Sequence, residues 1–161
     1  MISLQESKSN QREWSAVSLI IDRLLRPTRQ QLAPVQEAIR EGFDENFQTE
    51  SAGGVPWEQL SLTTVIDRVT KGFPGTHPIL QRTRNYRASF ADAGHADHVS
   101  EIQYQLGLVT LFEGTQDDRA QILELGSGRV PARPVLEMSN GSVDNVGETI
   151  LDMIDGIIHA R

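Results

Sequence analysis

Residues 99–112, VSEIQYQLGLVTLF, determine the fold class that the sequence predicts. Before Gly107, polar and apolar residues alternate, so one side of an extended segment is mostly polar. After Gly107, a second run rich in Leu, Val, Thr and Phe is typical of a strand. The glycine between the two runs predicts a tight turn or a bulge. The stretch therefore predicts two neighbouring antiparallel strands, over 99–106 and 108–112.

Helical periodicity lies on both sides of these strands. Apolar residues recur every three or four positions in several segments, as they do along one face of a helix. The predicted helices cover residues 12–26, 33–48, 62–71 and 143–158. Ser61 and Ser142 are the predicted N-caps of the last two helices. Residues 86–90 are expected to form a third strand, whereas 120–125 fit either a helical turn or a strand.

These elements together predict an α+β fold, in which N-terminal helices and a C-terminal helix pack on a small, mainly antiparallel sheet. The polar residues 1–11 are expected to form a flexible N-terminal arm. Residues 12–161 are expected to form one domain, because a chain of 161 residues has enough apolar surface for a single core.

The composition excludes several classes of protein. The absence of cysteine excludes a disulfide scaffold, a thiolate metal site and a cysteine nucleophile. A formal net charge of −7 disfavours general binding to the phosphate backbone of nucleic acids. The sequence contains neither an apolar run long enough to span a membrane nor an N-terminal signal peptide. Neither a G-x-S-x-G motif nor a P-loop occurs, so the prediction is a protein that is not an enzyme and has no cofactor.

One alternative is a small metal-binding protein. His95, Asp97 and His98 lie within four consecutive residues, and two histidines three positions apart can both ligate one metal ion. A protein metal site normally needs a third ligand, which Asp97 could supply. The other interpretation of this segment is a solvated hairpin loop.

A second alternative is a nucleic-acid accessory protein. Arg82, Arg84 and Arg87 surround Tyr86, and a basic patch with a ring for stacking is typical of single-strand binding. The other interpretation is a turn whose arginines pair with the many carboxylates of the chain. No further basic residues extend the patch along the sequence.

Four short motifs occur in a defined order along the chain. They are W-x-x-L-S-x-x-T at 57–64, a segment with I-L-x-x-T and a serine six residues later at 79–89, A-x-I-x-x-x-G at 120–126 and V-P-A-R-P at 130–134. The residues that carry them are Trp57, Leu60, Ser61, Thr64, Ile79, Leu80, Thr83, Ser89, Gly126, Pro131, Ala132, Arg133 and Pro134. On these residues the chain, from about residue 15 to 158, resembles the phage virion morphogenesis family, the tail-completion proteins of Mu-like phages and prophages. Arg84, Tyr86 and Leu123 depart from the family pattern, which has Gly, Leu and His there.

The resemblance implies a structural protein of virion morphogenesis that acts in tail completion or head–tail joining. The implied partners are phage tail or head–tail connector proteins and further copies of the chain, for which a ring is one arrangement. The implied location is the host cytoplasm during assembly and then the virion, at the tail or the head–tail junction. No membrane is implied.

Three motif positions lead to specific expectations. Trp57 is interpreted either as an exposed binding anchor or as a core residue next to a loop. Arg133, held between two prolines on an extended segment, is interpreted either as a contact to a partner protein or as an internal salt bridge to the acidic C-terminal helix. The resemblance also suggests that Ile79 and Leu80 begin the sheet.

Overall fold

The computed structural model describes residues 8–128 and 130–160, with the side chains of residues 8–14 and of Ala16 left undescribed. Within this part of the chain the α+β class is confirmed. The elements are, in order, α1 (Lys8–Leu25), α2 (Arg29–Thr49), β1 (Ser51–Ala52), β2 (Val55–Pro56), α3 (Leu62–Thr70), α4 (Asn85–Ala91), β3 (His98–Gln105), β4 (Leu108–Thr115), α5 (Ala120–Leu125) and α6 (Asn140–His159).

Helix α2 is the central element, and it packs against α4, α6 and β4. A capping box starts it: the Thr28 hydroxyl accepts the N–H of Gln31, and the Gln31 side chain accepts the N–H of Thr28 at 2.8 Å. Because of this cap the helix begins at Arg29, four residues before the predicted start. Pro34 consequently lies inside the helix rather than in its first turn.

The core beneath α2 is aromatic. Phe47 is completely buried, and the rings of Trp57 and Tyr86 meet it edge-on at centroid distances of 5.8 and 5.9 Å. Phe43 and Phe90 form a further edge-on pair at 5.7 Å. Such arrangements are favoured by the ring quadrupoles. The core therefore lies between α2, α4 and the segment that follows β2.

Strands β3 and β4 form the predicted hairpin. Gln105 pairs with Leu108, and Gly107 stands at φ 75° in the two-residue turn between them. A positive φ at the second turn position is the conformation that glycine adopts without strain. β4 continues to Thr115, three residues beyond the predicted end. β1 and β2 form a second, much shorter antiparallel pair.

The predicted strand over 86–90 is wrong, because these residues belong to helix α4. The buried residues of α4 are Tyr86, Ser89 and Phe90, and this spacing places them on one helical face. A five-residue run is too short for its periodicity to separate a helix from a strand. The sheet is therefore a single hairpin plus the short β1–β2 pair, rather than a three-stranded group.

Two other boundaries differ from expectation. Helix α1 already begins at Lys8, four residues before the predicted boundary of the arm, while residues 1–7 lie outside the described residues. Ser139, not Ser142, is the N-cap of α6, and its hydroxyl accepts the N–H of Ser142 at 3.1 Å. The Ser142 hydroxyl instead donates to the Glu45 carboxylate on α2, which fastens the start of α6 to α2. Residues 120–125 are helical.

Candidate functional site

Trp57 is a core residue rather than an exposed anchor. Its ring packs against Phe47, and its Nε1 donates to the carbonyl oxygen of Pro134 at 2.9 Å. This hydrogen bond joins the first of the four sequence motifs to the last. The two motifs therefore meet inside the molecule, and the indole is not available to a partner protein.

Arg133 is also internal, with only 5% of its surface exposed. Its Nε donates to the carbonyl of Glu58 at 2.9 Å, and its Nη2 donates to the carbonyl of Gln59 at 3.2 Å. Burial lowers the pKa of the guanidinium from its ordinary value. Of the two interpretations, the internal one is right, but the predicted carboxylate of the C-terminal helix is replaced by two backbone carbonyls. The reason is that the residue 131–136 segment passes beside Glu58 and Gln59 before α6 begins.

The segment around Arg133 is held from its other side by α5. The N–H of Arg133 donates to the carbonyl of Leu123, and the N–H of Val135 donates to Glu124 Oε1, both at 2.6 Å. Burial is the main reason that the pKa of Glu124 lies above its ordinary value. Gly126 permits this close approach, because a Cβ there would stand 2.9 Å from the backbone nitrogen of Ala132. We call the segments 57–59, 120–126 and 131–136 the motif clasp.

The second part of the first motif starts helix α3. Ser61 is its N-cap, as predicted: its hydroxyl accepts the N–H of Thr64 at 3.3 Å and lies 2.9 Å from the Thr64 hydroxyl. Leu60, just before the cap, is partly buried and packs against the aromatic core. These residues therefore fix where α3 leaves the core.

Ile79 and Leu80 do not begin the sheet, so that expectation is wrong. They lie in the irregular segment between α3 and α4, where Ile79 is completely buried and Leu80 has φ 58°. The N–H of Ile79 donates to Glu50 Oε1 at 2.8 Å, which turns the segment inward.

Thr83 is exposed in the following bend. Ser89 is buried on α4 and donates to the carbonyl of Tyr86 at 2.8 Å.

The residues of the metal hypothesis do not converge on one point. His95 Nε2 lies 3.0 Å from Asn85 Oδ1, and its Nδ1 accepts the N–H of Asp97 at 3.1 Å. The ring of His98 turns the other way, under α2, with its Nδ1 3.1 Å from the Ser89 carbonyl. Within residues 8–128 and 130–160, no three His, Asp or Glu side chains are grouped so that they could hold a metal ion.

The arginines of the nucleic-acid hypothesis are mostly paired with protein groups. Arg87 donates to both carboxylate oxygens of Asp44, at 2.6 and 2.8 Å. This contact lowers the pKa of Asp44 and raises that of Arg87. Arg82 lies 3.4 Å from Asp67 and stacks over a phenylalanine ring, while Arg84 is exposed with φ 60°. The geometry therefore favours the interpretation of a turn whose arginines pair with carboxylates.

A buried polar cluster, which the sequence analysis missed, joins the hairpin to α2. Glu113 Oε1 accepts from Gln36 Nε2 at 2.8 Å and from Ser100 Oγ at 2.7 Å. Glu113 Oε2 lies 3.1 Å from His98 Nε2 and 3.5 Å from Arg40 Nη1. One signal in the sequence could have indicated this cluster. The alternation of side chains along the two strands places Ser100 and Glu113 on the same face of the hairpin.

Large apolar side chains remain exposed on several elements. On α1 and α3 they follow helical spacing and so form rows along one side of each helix. The exposed side chains on these elements include Val17, Ile21 and Leu25 on α1, Leu62, Ile66 and Val69 on α3, Leu106, Leu108 and Phe112 on the hairpin, and Ile150, Leu151 and Ile158 on α6. Contiguous exposed apolar surface is typical of sites where proteins bind each other.

Some of these side chains surround a groove of about 410 Å³ between α1, the hairpin and α6. Leu32 and Val35 of α2, which are buried, also line it. Its exposed lining residues Leu25, Leu108 and Ile150 come from the three surrounding elements. The groove is therefore an apolar surface to which several parts of the chain contribute.

Comparison with protein-family models, with curated proteins and with solved structures finds no match to this chain. No helix in the described part of the chain has the length and apolar character needed to cross a membrane. The candidate site is the exposed apolar surface, and the motif clasp is a separate internal feature of the molecule.

Proposed function

We propose that the chain is a non-enzymatic structural protein of phage or prophage virion morphogenesis, which acts in tail completion or head–tail joining. The observation that carries the proposal is the exposed apolar surface on α1, α3, the hairpin and α6. Exposed apolar rows on several elements suit a protein that is enclosed by neighbours in an assembly. The order of the four sequence motifs supports the choice of this assembly.

The internal position of the motif residues is compatible with this proposal. Trp57, Gly126 and Arg133 hold the motif clasp together, so they serve the shape of the molecule rather than contact with a partner. The proposed partners are tail or head–tail connector proteins and further copies of the chain. The proposed location is the host cytoplasm during assembly and afterwards the virion.

Co-expression with the tail and connector proteins of the same genome tests the proposal. A tagged copy of the chain is expected to retain at least one of these proteins through purification. Failure to bind any of them would overturn the proposal.

Substitutions within the apolar rows test whether this surface carries the binding. Three variants each place a hydroxyl on the exposed apolar surface of a different helix: Ile21→Ser on α1, Ile66→Ser on α3 and Ile158→Ser on α6. Thr63→Ser on α3 is the control outside this apolar surface. At least one row variant is expected to lose most of the binding while its circular dichroism stays unchanged. If all three bind as well as the control, the exposed apolar surface does not support the proposed function.

A further inference from the structure

We infer that the chain pairs with a second copy of itself through the tip of the β3–β4 hairpin, with Leu106 of each copy seated in the apolar groove of the other. This inference rests on the proposed function and deepens it, because it names one partner of the assembly and the surface that meets it.

Leu106 protrudes from the molecule. It is 100% exposed, at the first position of the two-residue turn, where small or polar residues are usual. The tip that carries it is nevertheless fixed, because the Tyr104 hydroxyl donates to the carbonyl of Pro27 at 2.7 Å. The exposed Leu106 side chain contributes little to the stability of the monomer, whereas the anchored backbone of the tip needs little further ordering when a partner covers it.

The groove that can receive such a side chain begins at the next residue. Gly107 and Leu108 both line it, opposite Leu25 of α1 and Ile150 of α6. Its volume of about 410 Å³ leaves ample room for one leucine side chain, and its lining is mainly apolar. The protruding residue and the groove are therefore neighbours on one surface.

This adjacency permits a twofold contact, which is the arrangement that we infer. A twofold axis between Leu106 and the groove exchanges their positions, so one rotation seats both leucines at once. Twofold contacts are self-complementary in this way and are the commonest among homo-oligomers. The arrangement is closed at two copies, which defines a dimer as the unit.

Two opposite charges beside the tip fit the same axis. Asp22 and Arg26 lie with Leu25 and Leu106 around an adjoining hollow, and both charged side chains are exposed. Neither forms an ion pair with any side chain that the structure describes. In the proposed pair the twofold axis also passes between these two residues, so that Asp22 of one copy meets Arg26 of the other twice.

Sedimentation equilibrium of the purified full chain tests the dimer. The unchanged chain is expected to sediment as a monomer–dimer equilibrium, and Leu106→Ser is expected to weaken it about tenfold or more, since each copy buries one leucine. At concentrations where the chain is monomeric the melting temperature should not change, because Leu106 is 100% exposed in the monomer. Leu62→Ser, at a leucine that is 74% exposed on α3 and outside the groove, is the matched control and should leave the dimer intact.

Charge reversal tests the axis itself. Asp22→Arg and Arg26→Asp should each weaken the dimer, and the double variant should restore it. A monomer at every concentration, equal effects of Leu106→Ser and Leu62→Ser, or no restoration by the double variant would overturn the inference. Species larger than a dimer that depend on Leu106 would overturn the twofold arrangement.

The failures of this inference and of the proposed function are distinguishable. If the chain is monomeric and still binds tail or connector proteins, the inferred dimer is wrong and the proposed function is unaffected. If the chain dimerises and binds none of these proteins, the proposed function is wrong and the inferred dimer is unaffected.

Discussion

Arg133 joins two segments that are 74 or 75 residues apart in sequence, because its guanidinium donates to the carbonyls of Glu58 and Gln59. Arg133→Ala leaves both carbonyls without this partner, and we expect a loss of about 3 kcal/mol in the free energy of unfolding. Urea denaturation measures it. Arg82→Ala is the control, since its pair with Asp67 is exposed and should contribute much less. Equal losses in the two variants would contradict the role assigned to Arg133.

Gly126 allows α5 to lie close to the residue 131–136 segment. Its φ of 73° and ψ of 160° belong to a region that is essentially restricted to glycine, and a Cβ would also clash with the Ala132 backbone. Gly126→Ala is therefore expected to cost about 3 kcal/mol of unfolding free energy, from strain together with the clash. Gly128→Ala has a positive φ but open space around it, so about 1 kcal/mol is expected there. A cost for Gly126→Ala no larger than that of the control would argue against the close approach.

Asp44 makes part of the stability depend on pH. Hydrogen bonding from Arg87 lowers the pKa of this carboxyl from its ordinary value of 3.8. The unfolded chain therefore binds this proton first as the pH falls, so the stabilisation is present above about pH 4 and is lost as the pH falls through the folded pKa. Asp44→Asn should lower the unfolding free energy by about 1 kcal/mol at pH 7 and by progressively less in acid. Asp118→Asn, at an exposed carboxylate, is the control and should leave the unfolding free energy at pH 7 nearly unchanged.

At the scale of elements, the hairpin depends on one buried carboxylate. Glu113 binds Gln36 of α2 and Ser100 of β3, and lies next to His98 and Arg40. Glu113→Ala leaves this cluster without its acceptor, and a loss of about 3 kcal/mol is expected. Hydrogen exchange should locate the effect in the amides of the hairpin.

Glu101 provides the matched control for that substitution. It lies on the same hairpin but on the opposite, exposed face. Glu101→Ala should change the unfolding free energy by less than about 0.5 kcal/mol. Equal protection of the hairpin amides in both variants would show that the cluster does not hold the hairpin to α2.

The sequence predicted elements wherever a local pattern was long enough. The alternation before Gly107 was sufficient for the hairpin, and Ser61 marked the start of α3. The pattern failed over α4, where the five residues 86–90 fit the spacing of a helix as well as that of a strand. It also failed at the start of α6, where Ser139 and Ser142 can both act as N-caps. These errors are local ambiguities that only tertiary packing resolves.

At the scale of the whole molecule, the long-range contacts were beyond prediction from sequence. Arg133 was placed correctly inside the protein as one of two interpretations, but its carbonyl partners depend on the path of the chain between residues 59 and 131. The burial of Glu113 was missed for the same reason, because Gln36 and Arg40 come from a distant helix. The apolar groove combines residues from α1, α2, the hairpin and α6, and no single segment of sequence reveals it.

The exposed apolar surface gives the molecule as a whole its proposed role. The apolar side chains exposed on α1, α3, the hairpin and α6 do not stabilise the monomer in water. An assembly that covers them gains the free energy of their burial. Loss of the protein should therefore interrupt construction of the particle rather than any chemical step.

Deletion of the gene, followed by electron microscopy of the induced lysate, is the decisive test of the proposed function. The expected result is that heads and tails accumulate unjoined, or that the tails stay incomplete. Whole particles are expected to return when the chain is supplied in trans. Whole infectious particles at the normal titre without the chain, or a gene that lies outside any phage or prophage genome, would contradict it.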